Sequence, residues 1–279
     1  MKIEYLGMVS VYTIIALYFF GGLPSLSQSI TAAIGSFFLF LGLKKKTKDH
    51  FSGSLILFIS VAIACGPVIT AGWTLQYLMF GFSVFAMEGY LEKRQYRIYL
   101  LPILFFFWAL KDASWLLGFI FVAMYLSHPW TEKPGLRRRL LLLVIISFLA
   151  GISTSLFQRQ TKDIYTLCPF QHGLLAMDPL SMGLLFLIGV LTIFCLIMFW
   201  RKTVLPHRLN TLIFCAFSPL DGRLAALFAM AAVVLLSATL CRDSIYSDRL
   251  RPFFKHAEWY YFWIVFAVAL YVVFNRPAI

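Results

Sequence analysis

The chain is 279 residues long, 61% hydrophobic and 13% charged, with a mean hydropathy of +0.84. Soluble domains carry roughly 25% charged residues, so this composition excludes an ordinary water-soluble globule and a disordered chain. It also excludes a nucleic-acid-binding protein, in spite of a net charge of +12. What fits is an all-α polytopic transmembrane helix bundle, whose outer surface meets lipid.

A spanning helix needs about 20 predominantly apolar residues. Breaking the apolar runs at charge clusters and at Pro or Gly gives ten candidates: 5–22, 28–43, 51–66, 70–91, 97–110, 114–128, 139–157, 180–200, 223–241 and 258–275. The fifth and sixth are short and separated only by Lys111, Asp112 and Ala113. They read as two spans, a re-entrant hairpin or one broken helix. Ten spans put both termini in the cytoplasm. Lys44 to Lys48, Lys93 to Arg97, Lys133 to Arg139 and Arg201 to Arg223 are then cytoplasmic loops. Clustering of Lys and Arg on one side is what the positive-inside rule expects. Trp73, Trp130, Trp200 and Trp259 stand at run ends, where amphipathic rings favour the headgroup level. The expected location is the cell (inner) membrane, multi-pass. No cleavable signal, repeat or Ser/Pro-rich linker is evident, so residues 1–279 read as a single integral membrane domain.

Ionisable groups within or beside a span are the default functional candidates. Glu88, late in the fourth run, reads first as a carboxylate reaching the interface near Lys93 and Arg94. As a proton or cation site it would need a second intramembrane acid, and none is visible. The pair Lys111 and Asp112 interrupts an apolar stretch at a non-cytoplasmic turn. Asp112 there is a helix cap or a base for an acceptor hydroxyl, with Lys111 beside a phosphate. A crowded basic cluster also stands on the outer side, before the last run. Arg242, Arg249, Arg251 and Lys255 lie among aromatics there and lead into Trp259 to Trp263. Such a set would hold a lipid phosphate through charge-assisted hydrogen bonds.

The five histidines, His50, His128, His172, His207 and His256, all read as run-end or loop residues. Haem ligation would require paired histidines at membrane depth. The five cysteines, Cys65, Cys168, Cys195, Cys215 and Cys241, show no close pairing. No metal site, disulfide framework or cofactor is expected.

The order of Ile69 to Lys93 followed by Leu101 to Gly118 resembles the helical core of bacterial GT-C-type polytopic glycosyltransferases. In those, a Leu-Pro-rich span ends in a Trp-Ala sequence, here Trp108-Ala109, and continues into a Leu-Leu-Gly span, here Leu116-Leu117-Gly118. Leu212 to Val233, with Arg223 before its Leu/Ala run, is similar to a later span. The resemblance implies a polyprenyl-phosphate-linked sugar bound at the outer face in envelope glycan assembly; the reading of the residues themselves would make Asp112 the base and set the outer basic residues on the phosphate. The family's essential first-loop acid has no counterpart in Gly21 to Gln28. Two further readings stand beside this one. A small-solute or lipid transporter or flippase would line its cavity with Gln76, Glu88, Ser147, Thr154 and Ser155. A structural subunit would have partners in a larger membrane complex. In each the expected partner is membrane lipid and not nucleic acid.

Overall fold

The computed structural model describes residues 26–43, 74–91, 95–111, 114–128, 134–157, 179–201, 203–218 and 222–240. These residues are helical apart from short turns and the extended Val204, with no strand among them. In chain order the helices are α1 (Leu26–Leu43), α2 (Thr74–Leu91), α3 (Leu101–Ala109), α4 (Trp115–Ala123), α5 (Pro134–Phe157), α6 (Pro179–Phe199), α7 (Leu205–Phe217) and α8 (Gly222–Leu240). Two 3-10 turns flank the short pair: Gln95–Leu100 leads into α3, and Met124–Ser127 follows α4.

The all-α expectation holds. The ten-span arrangement is not established: among the described residues, no helix is long and apolar enough to cross a membrane. Expected spans 5–22, 51–66 and 258–275, and both termini, lie outside the described residues. The stretch 97–128 resolves as two nine-residue helices with a turn between them. That turn is held by the Trp108 indole N–H donating to Ser114 Oγ at 2.9 Å. Two segments read as loops are helical instead. Pro134 starts α5 inside the Lys133 to Arg139 run, because proline is favoured in a first turn whose N–H groups lack intrahelical partners. The Arg201 to Arg223 segment contains α7, entered through extended Val204 with Pro206 in its first turn.

Packing relies on close backbone approach. A Cβ on Gly35 would lie 2.9 Å from Leu78 Cα, and one on Gly81 would collide with the Gly35 carbonyl oxygen. These glycines let α1 and α2 run in contact along their lengths, with Ser36 Oγ and Tyr77 OH 3.0 Å apart across the seam. Small residues at a helix seam gain dispersion contacts that bulkier ones would block. The Trp108 ring fills the place where a Gly118 side chain would be. Phe105, stacked on Trp108 within α3, meets Phe119 of α4 edge-on at 6.2 Å between centroids.

Replacing Gly81 by Ala is expected to push α1 from α2 and to destabilise the bundle by about 1–3 kcal/mol, the usual cost of overpacking. Gly183→Ala and Gly189→Ala, where an added Cβ meets nothing within 4 Å, are expected to leave the midpoint unchanged or slightly raised. Thermal unfolding in detergent compares the three; equal behaviour would refute the close-packed seam.

Candidate functional site

The site grows from three elements whose inward positions repeat with helical spacing. On α2, Phe80, Val84 and Glu88 follow one another at intervals of four. On α4 and its 3-10 extension, Phe121 and Tyr125 do the same. On α7, His207, Asn210, Thr211 and Phe214 share one face, and all four are buried. Phe80 packs on Phe121 at 4.6 Å between centroids and on Phe214 at 5.6 Å; Phe121 packs on Tyr125 at 5.4 Å. These rings form a dry wall.

Against that wall sits a carboxylate with no solvent contact. Tyr125 OH donates to Glu88 Oε1 at 2.6 Å, and His207 Nε2 lies 2.8 Å from the same oxygen. The side chains of Glu88 and His207 are both 0% exposed. A burial this complete demands a partner, since an isolated charge in a low-dielectric interior costs many kcal/mol. Oε1 already accepts from a phenol, so the second short contact is satisfied best by an Nε2–H donor. Two electrically neutral arrangements are then open to the Glu88–His207 pair. One is carboxylate with imidazolium; the other is carboxylic acid with neutral imidazole, and they differ by the position of one proton. Tyr125, as a donor, stabilises the carboxylate form.

One turn along α7, Asn210 donates through Nδ2 to the Phe121 carbonyl at 3.2 Å. Its Oδ1 is buried and has no hydrogen-bond partner among the described residues. Thr211 Oγ1 donates to Ala231 O at 3.3 Å and so ties α7 to α8.

Several expectations need correcting here. Glu88 does not reach an interface: it is fully buried and faces α4 and α7. Its partner is an imidazole and a phenol, not the second acid the sequence reading required. His207 is not a loop residue but a helical one, buried at the pair. Ser147 and Thr154 do not offer their hydroxyls to a cavity. Each donates to the carbonyl four residues back on α5, at 2.7 Å. Gln76 is buried on α2, and the Ser155 side chain lies outside the described residues.

Of the residues assigned to the outer phosphate site, Lys111 is exposed at the turn after α3. Asp112, Arg242, Arg249, Arg251 and Lys255 lie outside the described residues. Among the described residues no group of three or more His, Cys, Asp or Glu side chains is placed to hold a metal.

The signal for His207 was present but reversed. Polar residues at 207, 210 and 211 lie on one helical face, which in a soluble helix marks the outside. Here Leu212, Ala216 and Phe217 occupy the exposed side instead.

Removing one member of the pair takes a short buried contact from the other. His207→Ala is expected to destabilise the fold by about 3–5 kcal/mol, the range for breaking a buried ion pair. Tyr125→Phe, which leaves the pair but deletes one donor, is expected to cost about 1–3 kcal/mol. Unfolding of Glu88→Gln, His207→Gln and the double variant gives the coupling energy, and strict additivity would refute the direct contact.

No protein-family model matches this chain, and no curated protein or solved structure is similar enough to stand as a relative.

Proposed function

We propose that this is a multi-pass protein of the cell (inner) membrane that moves a small solute or a lipid, with the Glu88–His207 pair as the site where a proton is taken up and released. The observation that carries the proposal is a titratable pair without solvent contact, inside helices whose outward faces are apolar. On α5, Leu141, Leu142, Ile145, Ile146 and Leu149 are each 42–57% exposed, while Ser147 and Thr154 are buried. On α6, Phe186, Ile193, Phe194, Ile197 and Met198 are 53–75% exposed, while Thr192 is 2% exposed. Helix α7 has the same inside-out character. In water such contiguous apolar patches mark a surface that something must cover; a bilayer covers it on all sides. The ten-span order, with both termini in the cytoplasm, belongs to this reading.

The coupling follows from electrostatics. While α7 stays docked, imidazolium and carboxylate neutralise one another. Any movement that parts His207 from Glu88 takes away the opposite charge that each has beside it in a dry interior, which costs several kcal/mol. The penalty is removed when Glu88 takes a proton from one side of the membrane and His207 releases its proton to the other; on redocking the proton passes from Glu88 to His207, so each cycle carries a proton across while the pair's own count is unchanged. Protonation would therefore be tied to the movement of α7 against α2 and α4, and a solute favouring one position would draw protons with it.

A second reading keeps the glycan-assembly role implied by the GT-C resemblance. It is favoured by the helix break at Lys111, where the similar family turns between its two spans. In that reading Asp112 is the base, and Arg242, Arg249, Arg251 and Lys255 hold a polyprenyl phosphate.

Pyranine-loaded proteoliposomes test the first reading with a panel of amino acids, sugars and lysophospholipids. The expected result is a solute-dependent change of internal pH that falls at least tenfold in Glu88→Gln. Solute uptake with full proton movement in folded Glu88→Gln would sink the assignment of the pair. Release of the protein from cell membranes by alkaline carbonate would sink the membrane reading itself. Co-purified polyprenyl phosphate, lost on Arg249→Ala with Arg251→Ala, would favour the second reading.

A further inference from the structure

The 3-10 turn after α2 holds an arginine that the proton site does not use. Arg97 is 8% exposed. Its side chain runs back along α2 through the notch at Gly89, where a Cβ would lie 2.6 Å from Arg97 Cδ. The guanidinium ends over ring faces, 4.0 Å from the Phe85 centroid and 5.9 Å from that of Tyr96. Among the described residues no hydrogen-bond acceptor or carboxylate pairs with it. Stacking fixes the plane of the fork and leaves its N–H donors unspent, the arrangement that suits a phosphate or carboxylate ligand.

The surroundings indicate which anion. Tyr96 and Tyr99, on the same turn, are 66% and 52% exposed, and Leu100 beside them is 45% exposed. Exposed tyrosines next to exposed aliphatic residues are the composition of a headgroup layer. Arg137, Arg138 and Arg139 are exposed in the first turns of α5, and α5 contacts the 3-10 turn that carries Arg97. Arg97 is thus set among further positive charges at a tyrosine-lined edge. A free metabolite anion would need no such apolar border; a lipid needs both.

We propose that Arg97 binds the headgroup phosphate of an anionic phospholipid, at the end of α3 opposite Lys111. The inference rests on the membrane reading but not on the proton site or the transport cycle. The phosphate oxygens accept from the Arg97 fork, the tyrosines lie beside the glycerol level, and the arginines of α5 supply a field that favours anionic over zwitterionic lipid.

Native mass spectrometry of the full chain in gentle detergent tests this, with phosphatidylglycerol, phosphatidylcholine and inorganic phosphate as probes. Retention of phosphatidylglycerol over phosphatidylcholine is expected, falling about tenfold in Arg97→Gln, the loss of one charge-assisted contact. Gly89→Ala keeps the charge but displaces the side chain, and is expected to weaken retention in the same direction. Arg208→Gln, whose guanidinium stacks on Trp200 at 4.5 Å, is expected to leave retention unchanged. Equal retention of the two lipids, or unchanged retention in both folded Arg97→Gln and folded Gly89→Ala, would overturn the proposal. Displacement of the lipid by millimolar inorganic phosphate would overturn it in favour of a free anion. Carbonate release of the protein would fail the membrane reading instead, and it is scored separately.

Discussion

One oxygen atom organises the described part of the molecule. Glu88 Oε1 takes a hydrogen bond from a phenol 37 residues further along the chain and contacts an imidazole 119 residues further along. Because the carboxylate has no access to solvent, these contacts are obligatory. Losing either leaves a polar group in a dry interior at a cost comparable with a large fraction of a typical fold's stability. Orientation of α2, α4 and α7 is therefore set by polar geometry as well as by volume. The rings of Phe80, Phe121 and Phe214 fill the space this geometry leaves. A buried ion pair is seldom the most stable solution for a site, since well-packed apolar side chains often do better. Its presence is easier to understand where the charges act than where they only hold.

Elsewhere the structure depends on contact between surfaces with little to distinguish them. Leu, Phe and Ile face both inward and outward on α5 and α6, so burial of apolar area cannot by itself choose the inner face. Small residues and fitted rings make the choice instead. Gly35 and Gly81 let two backbones touch, Gly118 accepts the Trp108 ring, and Gly151 receives Trp115, where a Cβ would lie 2.6 Å from the ring. Phe148 and Phe119 close around the same tryptophan. This is the packing expected where association depends on fit and dispersion.

The helical class was legible from composition, and expected runs 28–43, 70–91, 180–200 and 223–241 each overlap a described helix whose ends fall within a few residues of theirs. Those runs end at charges or at Pro and Gly, which break a helix whatever surrounds it. The helix Leu205–Phe217 was not legible as a buried element. Its His207, Arg208 and Asn210 lower the hydropathy of the segment below that of its neighbours, so a reading by apolar runs assigns it to a loop. Only the position of Glu88 in space shows why these polar residues point inward. The same limit hides the pair itself: Glu88 stands out as a charge inside an apolar run, but a histidine 119 residues further along the chain carries no local signal of being its partner. Lys111 was rightly placed at a turn. The remaining members of the expected outer phosphate set fall outside the described residues.

The chain separation within the Glu88 cluster has a consequence for biosynthesis. Ribosomes deliver α2 long before α7, so the carboxylate leaves the exit tunnel with neither partner made. Tyr125 arrives next, and a single phenol cannot neutralise it. The Glu88–His207 contact therefore closes only once α7 has been made. Folding of this site ends near the last part of the described chain to be made, and a ribosome stalled before residue 205 would leave an acid exposed for quality-control machinery to find.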